Sequence, residues 1–270
     1  MTMSAALHGR GQSVRNRATT RPTDHPPMPR EHGAWGILLI PFATAACISR
    51  TASAPVLLLL VSVLCFYVAR TSYLKKNFTW MALLLFGSCA AAAPLLLWWH
   101  LWWLCAFGGV GAVLAFRPTQ RDVVNEVVAV GGLTLTGPAA WYAASGRLDH
   151  MAFLIWALNT LYFVGGVLYV KLHIAAAIRR REFDGIGERF GFAWLTLAWY
   201  SVVLAVLVST AFQGWIPFAA VAAFAPTILR AIHGAARLSP RLRIKRIGWT
   251  EAGWSVVFGV LLVIALQGWH

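Results

Sequence analysis

Nine stretches of this chain stay apolar for roughly twenty residues each, enough to cross ~30 Å of hydrocarbon at ~1.5 Å of helix rise per residue. They cover residues 34–49, 55–74, 79–98, 101–116, 123–144, 151–171, 190–212, 215–233 and 250–269. Inside a bilayer no water is available to backbone N–H and C=O groups, so a spanning segment must satisfy them internally. Long apolar runs without strand-like alternation do that as helices. Composition agrees: 59% of the residues are hydrophobic and 12% charged, against ~25% charged in an average soluble domain. The expected fold class is all-α, a polytopic membrane helix bundle of about nine transmembrane helices. Residues 1–28, basic and rich in Ser, Thr and Arg, are expected to form a disordered cytoplasmic tail without a signal-peptide pattern. Residues 29–270 then form a single transmembrane helical domain.

The cations set the orientation. With the N-terminus inside, the tail and inner loops collect Arg10, Arg15, Arg17, Arg21, Arg30, Arg70, Lys75, Lys76, Arg117, Arg121, Lys171, Arg179, Arg180, Arg181 and Arg189. The last inner loop adds Arg230, Arg237, Arg241, Arg243, Lys245 and Arg246, and only Arg50 and Arg147 fall outside. The positive-inside rule therefore predicts N-in, C-out. It also accounts for the formal net charge of +14 without nucleic acid as a partner. The expected partners are the lipid bilayer and the anionic lipid headgroups of the cytoplasmic face. Trp98, Trp99, Trp102, Trp103, Trp141, Tyr142, Trp215 and Trp269 gather at outer span ends, where amphipathic rings favour the interface. Cys47, Cys65, Cys89 and Cys105 lack CxxC spacing and read as small buried hydrophobes, not a metal site.

Of the nine carboxylates only Asp149 lies outside, so chemistry is sought at the inner span ends. "PPMPREHGAWGILLIPF", residues 26–42, places Arg30, Glu31 and His32 where the first apolar run begins. A topological flank needs only Lys or Arg; an acid and an imidazole there are candidates for orientation and proton transfer near neutral pH. "RDVVNE" puts Asp122, Asn125 and Glu126 at i, i+3 and i+4 on one helix face beside Arg121. Glu126 lies about a turn inside the boundary, where a lone carboxylate is costly, so Arg70 or Lys171 is expected to pair with it. Further along that span, Gly131, Gly132 and the "TGP" of residues 136–138 favour close approach or a kink. Arg70 either snorkels to the interface or joins the site. "SPRLRIKRIGWTE", residues 239–251, gives a basic loop ahead of Glu251, expected in the first turn of the ninth span.

Together "PREHGAWGILLIPF", "NEVVAVGG" and "RLRIKRIGWTE" resemble the YwiC-like bacterial membrane proteins, over nearly the whole chain from Pro29 onward. The resemblance implies a bacterial inner-membrane location and, through the association of some members with anaerobic respiratory genes, a respiratory connection. It does not bring a reaction. The layout is also similar to that of UbiA-type intramembrane prenyltransferases, which have nine helices, an inner N-terminus and functional loops on the cytoplasmic face. That family holds Mg²⁺ and a polyprenyl diphosphate with Asp-rich motifs after the second and sixth spans. Here the second span ends in "RTSYLKKNF" without an acid. The sixth ends in "IRRREFDGIGERF", where Glu182, Asp184 and Glu188 compete with Arg179, Arg180, Arg181 and Arg189. The sequence identifies neither a metal site nor a cofactor.

Two functions remain open. One is a polar site at the cytoplasmic leaflet that binds or modifies a prenyl or phosphate-bearing lipid or a quinone-type substrate. Its catalytic candidates are His32, Glu31 and Glu126. Its substrate-binding candidates are Arg30, Arg70, Arg121, Asp122, Asn125, Lys171, Lys245 and Glu251. The other is a membrane scaffold or assembly factor for a respiratory complex, with the same charges locking helix ends. A transporter is disfavoured, because no internal repeat is evident and the span midplanes hold almost no charge. In a background without the four native cysteines, thiols introduced at Ser145 and Ser239 should be labelled from opposite sides of the membrane. Labelling from one side would contradict the nine-span, N-in arrangement.

Overall fold

The structure is a computed structural model describing residues 32–115, 123–179, 183–239 and 244–269. Among these it is helical throughout, without a strand. The helices are α1 (His32–Ser49), α2 (Ala54–Leu74), α3 (Phe78–Leu97), α4 (Trp103–Ala115), α5 (Val123–Leu133) and α6 (Thr136–Ser145). They continue with α7 (His150–Ile178), α8 (Ile186–Phe192), α9 (Trp194–Phe212), α10 (Phe218–Ala223), α11 (Ala225–Ala236) and α12 (Ile244–Leu266). Seven helices, counting α5–α6 and α10–α11 as one each, are long and apolar enough to cross a membrane. Two shorter apolar ones, Gly33–Ser49 and Trp103–Leu114, occupy the first and fourth expected spans. This is a multi-pass membrane protein.

Three elements depart from the sequence reading. The fifth and eighth spans each break in two, at Thr134–Leu135 and at Phe224. Pro138 and Pro226 have no N–H to offer the carbonyl four residues earlier. At the first break the Thr134 hydroxyl bonds the Val130 carbonyl at 3.0 Å and the Thr160 hydroxyl at 2.7 Å, while Gly137 N–H donates to the Thr134 carbonyl. The freed groups are thus satisfied within the bundle. Third, α12 begins at Ile244 instead of at residue 250, because the basic segment continues the helix beyond the apolar run. Glu251 is therefore two turns into α12 rather than in its first turn.

Long helix α7 is the centre of the bundle and is buried along most of its length. Helix α1 runs parallel to both α6 and α12 and packs through small residues. Gly36 faces Ser255, Gly259 faces Ile40, and Gly137 faces Pro41 and Ile155. Thr136 adds a hydrogen bond of 2.7 Å to the Leu38 carbonyl. Such close backbone approach is how helices associate where lipid removes any hydrophobic preference for one another. Helices α2 and α3 form a hairpin clamped by Ser62 and Ser88, whose hydroxyls each donate to the other's carbonyl at 3.0 and 2.9 Å.

Two surface expectations are corrected. Trp141 and Tyr142 are core residues; the Trp141 indole donates to Asp149 at 2.9 Å, and Asp149 also caps α7. Cys47, Cys89 and Cys105 are exposed, since an apolar solvent lets small hydrophobic side chains face outward. The tight α1–α6–α7 contact gives a direct test. A Cβ at Gly137 would lie 2.9 Å from the Ile155 methyl and 3.2 Å from Pro41. Overpacking of this kind costs ~1–3 kcal/mol. Gly137→Ala should lower the unfolding temperature in detergent, whereas Gly253→Ala, facing open space, should leave it unchanged or raise it.

Candidate functional site

Five residues on α7, Tyr162, Gly165, Gly166, Tyr169 and His173, are spaced i, i+3, i+4, i+7 and i+11 and so share one face. Against this face, parallel to α7, lies α11, whose small side of Thr227, Ala231 and Gly234 permits close contact. The Tyr169 ring fills the notch at Gly234, and the Tyr200 ring of α9 fills the notch at Gly165. A side chain at either glycine would collide with those rings. From α12, antiparallel to α7, the Glu251 carboxylate rests over Gly166, and Phe258 stacks on Tyr162 at 3.9 Å and 11°.

The centre of this assembly is Arg230. Its Nη1 donates to Glu251 Oε1 at 2.5 Å, and its guanidinium carbon lies 4.5 Å from the centre of the Tyr169 ring. The side chains of Arg230 and Glu251 are only 8% and 16% exposed, so the pair is shielded from solvent and lipid alike. The Tyr200 hydroxyl lies beside the guanidinium and the Tyr162 hydroxyl beside Thr227. Neither completes a hydrogen bond of good geometry: Nε and Nη2 of Arg230 and both tyrosine hydroxyls are buried and unfilled. His173 closes the row, its Nδ1 2.9 Å from the Tyr169 carbonyl. A carbonyl only accepts, so Nδ1 carries a proton.

A second charged pair sits on the same side of the bundle. Lys171 Nζ lies 2.8 Å from Glu126 Oε2, with the two side chains 30% and 35% exposed. Lys171 is thus the expected partner for Glu126. Partial exposure makes this pair a weaker constraint than Arg230–Glu251. Asn125 and Arg70 are both engaged in interactions of their own. Arg30, Glu31, Arg121 and Asp122 lie outside the described residues, as do the side chains of His32 and Lys245. Glu251 meets Arg230, a residue the sequence reading had placed in the inner loop. Arg230 instead lies within α11, inside an apolar run, where a charge demands a partner; that was the signal for it. Tyr162, Tyr169, His173 and Tyr200 carried no such signal, since aromatic residues at helical spacing look like ordinary core.

Glu188 accepts from the Asp184 N–H at 3.0 Å at the start of α8, and Arg189 caps α11 through the Ala236 carbonyl at 2.9 Å. Among the described residues no three His, Cys, Asp or Glu side chains gather as metal ligands would. A shallow open cavity of about 480 Å³, lined by Ser49, Arg50, Trp141, Ser145 and Gln267, lies at the opposite end of the bundle, where α1, α6 and α12 finish.

A family model described as YwiC-like protein matches residues 28–141. A Bacillus subtilis (strain 168) protein entitled "Uncharacterized protein YwiC" is 30% identical over 227 residues, which is 77% of this chain and 86% of that protein. A Haemophilus influenzae protein entitled "Uncharacterized protein" is 23% identical over 247 residues, 87% of this chain and 96% of its own length. No solved structure matches. The two ion pairs should respond differently to mutation. Removing one member of a buried pair costs ~3–5 kcal/mol, while a part-exposed pair contributes ~0–1 kcal/mol. Glu251→Gln should therefore lower the unfolding temperature in detergent far more than Glu126→Gln; equal effects would contradict the burial difference.

Proposed function

Because this chain belongs to the YwiC-like family, we propose that it is a multi-pass protein of the bacterial inner membrane that binds a lipid-borne substrate at a polar centre on its cytoplasmic side. One observation carries the reading: Arg230, buried among four helices, presents Nε and Nη2, and Tyr162 and Tyr200 their hydroxyls, with no hydrogen bond of good geometry among them. Buried donors left empty cost ~1–3 kcal/mol each, and a ligand oxygen among them recovers that cost. The charge distribution supports the cytoplasmic assignment, since Arg230 and Glu251 lie toward the ends that the positive-inside rule places inside.

Around this centre the other candidates take graded roles. Lys171, Glu126, Asn125 and Arg70, with Arg30, Arg121, Asp122 and Lys245, would line the approach for a prenyl, phosphate-bearing or quinone-type lipid. Glu31, His32 and Glu126 are the candidates for proton handling, should the bound lipid be modified. A UbiA-like transfer would need carboxylates free to hold a metal-bound diphosphate, and here Glu251 is committed to Arg230 and Glu126 to Lys171.

A second reading, a scaffold or assembly factor for a respiratory complex, is favoured by a specific feature. The Tyr169 and Tyr200 rings fit glycine notches and close the cluster tightly, as a purely structural lock would. Native mass spectrometry of the purified protein separates the two. Replacing a buried pair by apolar residues is often neutral or stabilising, so the Arg230→Leu, Glu251→Leu double variant should remain folded. Wild type should carry a co-purified lipid that this variant loses at least tenfold. Equal occupancy in both would support the lock and exclude the binding centre.

A further inference from the structure

We propose, building on the binding centre above, that its ligand is an uncharged lipid headgroup presenting an acceptor oxygen, and not a phosphate or diphosphate. Arg230 and Glu251 are one cation and one anion in direct contact, so this pair is neutral as it stands. The neighbouring Lys171–Glu126 pair is neutral as well. A diphosphate entering here would bring charge that neither of these two pairs balances, and an unbalanced buried charge is costly. Competition of such an anion for Arg230 would weaken its hold on Glu251, whose carboxylate lies against the Gly166 backbone.

The open hydrogen-bonding capacity has a definite sign. Nε and Nη2 of Arg230 donate only. The hydroxyls of Tyr162 and Tyr200 can donate or accept. A group that accepts from the guanidinium and also tolerates hydroxyls is a carbonyl or ester oxygen. The surroundings are aromatic: Tyr162 stacks on Phe258, Phe224 lies edge-on to Phe258, and Tyr169 covers the guanidinium. Aromatic neighbours suit an apolar headgroup with one polar atom better than a hydrated phosphate. Two lipid sources share this chemistry, the ester of a diacylglycerol and the ring carbonyl of a quinone.

The test uses full-length protein in nanodiscs of zwitterionic lipid, with three probes: dioctanoylglycerol, a decyl-substituted benzoquinone and farnesyl diphosphate. At least one uncharged probe should bind to wild type, with affinity reduced at least tenfold in the Arg230→Leu, Glu251→Leu double variant and reduced also in Tyr200→Phe. Tyr200→Phe retains the ring in the Gly165 notch, so it reads the hydroxyl even if the double variant does not fold. Farnesyl diphosphate should bind wild type and variants alike, through surface cations only. The quinone and diacylglycerol arms tell the two sources apart. If instead farnesyl diphosphate binding collapses in these variants, the uncharged-ligand proposal is overturned while the binding centre survives. If no probe responds to either variant, both fail.

Discussion

An arginine and a glutamate held against each other inside a membrane bundle constrain everything packed around them. Neither can leave the other without exposing a full charge to a low-dielectric interior, a penalty of several kcal/mol per ion. Arg230 comes from α11 and Glu251 from α12, so the pair fixes the rotation of both helices about their axes. Tyr169 from α7 covers the guanidinium and Tyr200 from α9 flanks it, each through a glycine that alone leaves room. Four helices are thereby tied to one point. The contrast with Lys171–Glu126 is one of burial: at 30% and 35% exposure that pair can exchange its partners for water or lipid headgroups, and it joins α5 to α7 without dictating their orientation.

Membrane solvent explains a second group of features. Lipid competes with every apolar helix–helix contact, so the bundle relies on close approach at Gly36, Gly137 and Gly259 and on hydroxyl bonds between helices. Ser62–Ser88 and Thr134–Thr160 are such bonds, and each joins residues 26 apart in sequence. At the α5–α6 break the Thr134 carbonyl, which Pro138 leaves open, is taken by the Gly137 N–H. The Thr134 hydroxyl bonds back to the Val130 carbonyl and links the break to α7 through Thr160. A break in mid-bundle is stable only with that substitution for backbone bonds.

The parts legible in the sequence were those set by length, charge sign and single-residue chemistry. Apolar run lengths located the spans, Pro138 announced the interruption after Gly131 and Gly132, and the cost of a solitary carboxylate pointed from Glu126 to Arg70 or Lys171, of which Lys171 is in contact. The Arg230 centre was legible only in part. A charge inside the 215–233 run demands a partner, but Arg230 stands seven residues before Arg237, so by spacing it merges with the basic flank. The basic run before Glu251 reads as a loop by composition, yet Lys and Arg are good helix formers and α12 extends through it. The same ambiguity hid Trp141, since an indole at a span end suits the interface as well as it suits a bond to Asp149.

Charge in this protein is therefore divided by location. Surplus cations lie in the flanks and loops, where they set orientation and can attract anionic headgroups. Among the described residues, Arg230–Glu251 and Lys171–Glu126 place charge within the bundle as compensated pairs. Under the proposed binding centre, attraction and selection fall to different residues. An anionic molecule drawn to the basic flanks would meet Arg230 already balanced by Glu251, while an uncharged headgroup would leave that pair intact. The interior pair would then favour neutral ligands where the surface favours anions, a division that a lone interior arginine could not make.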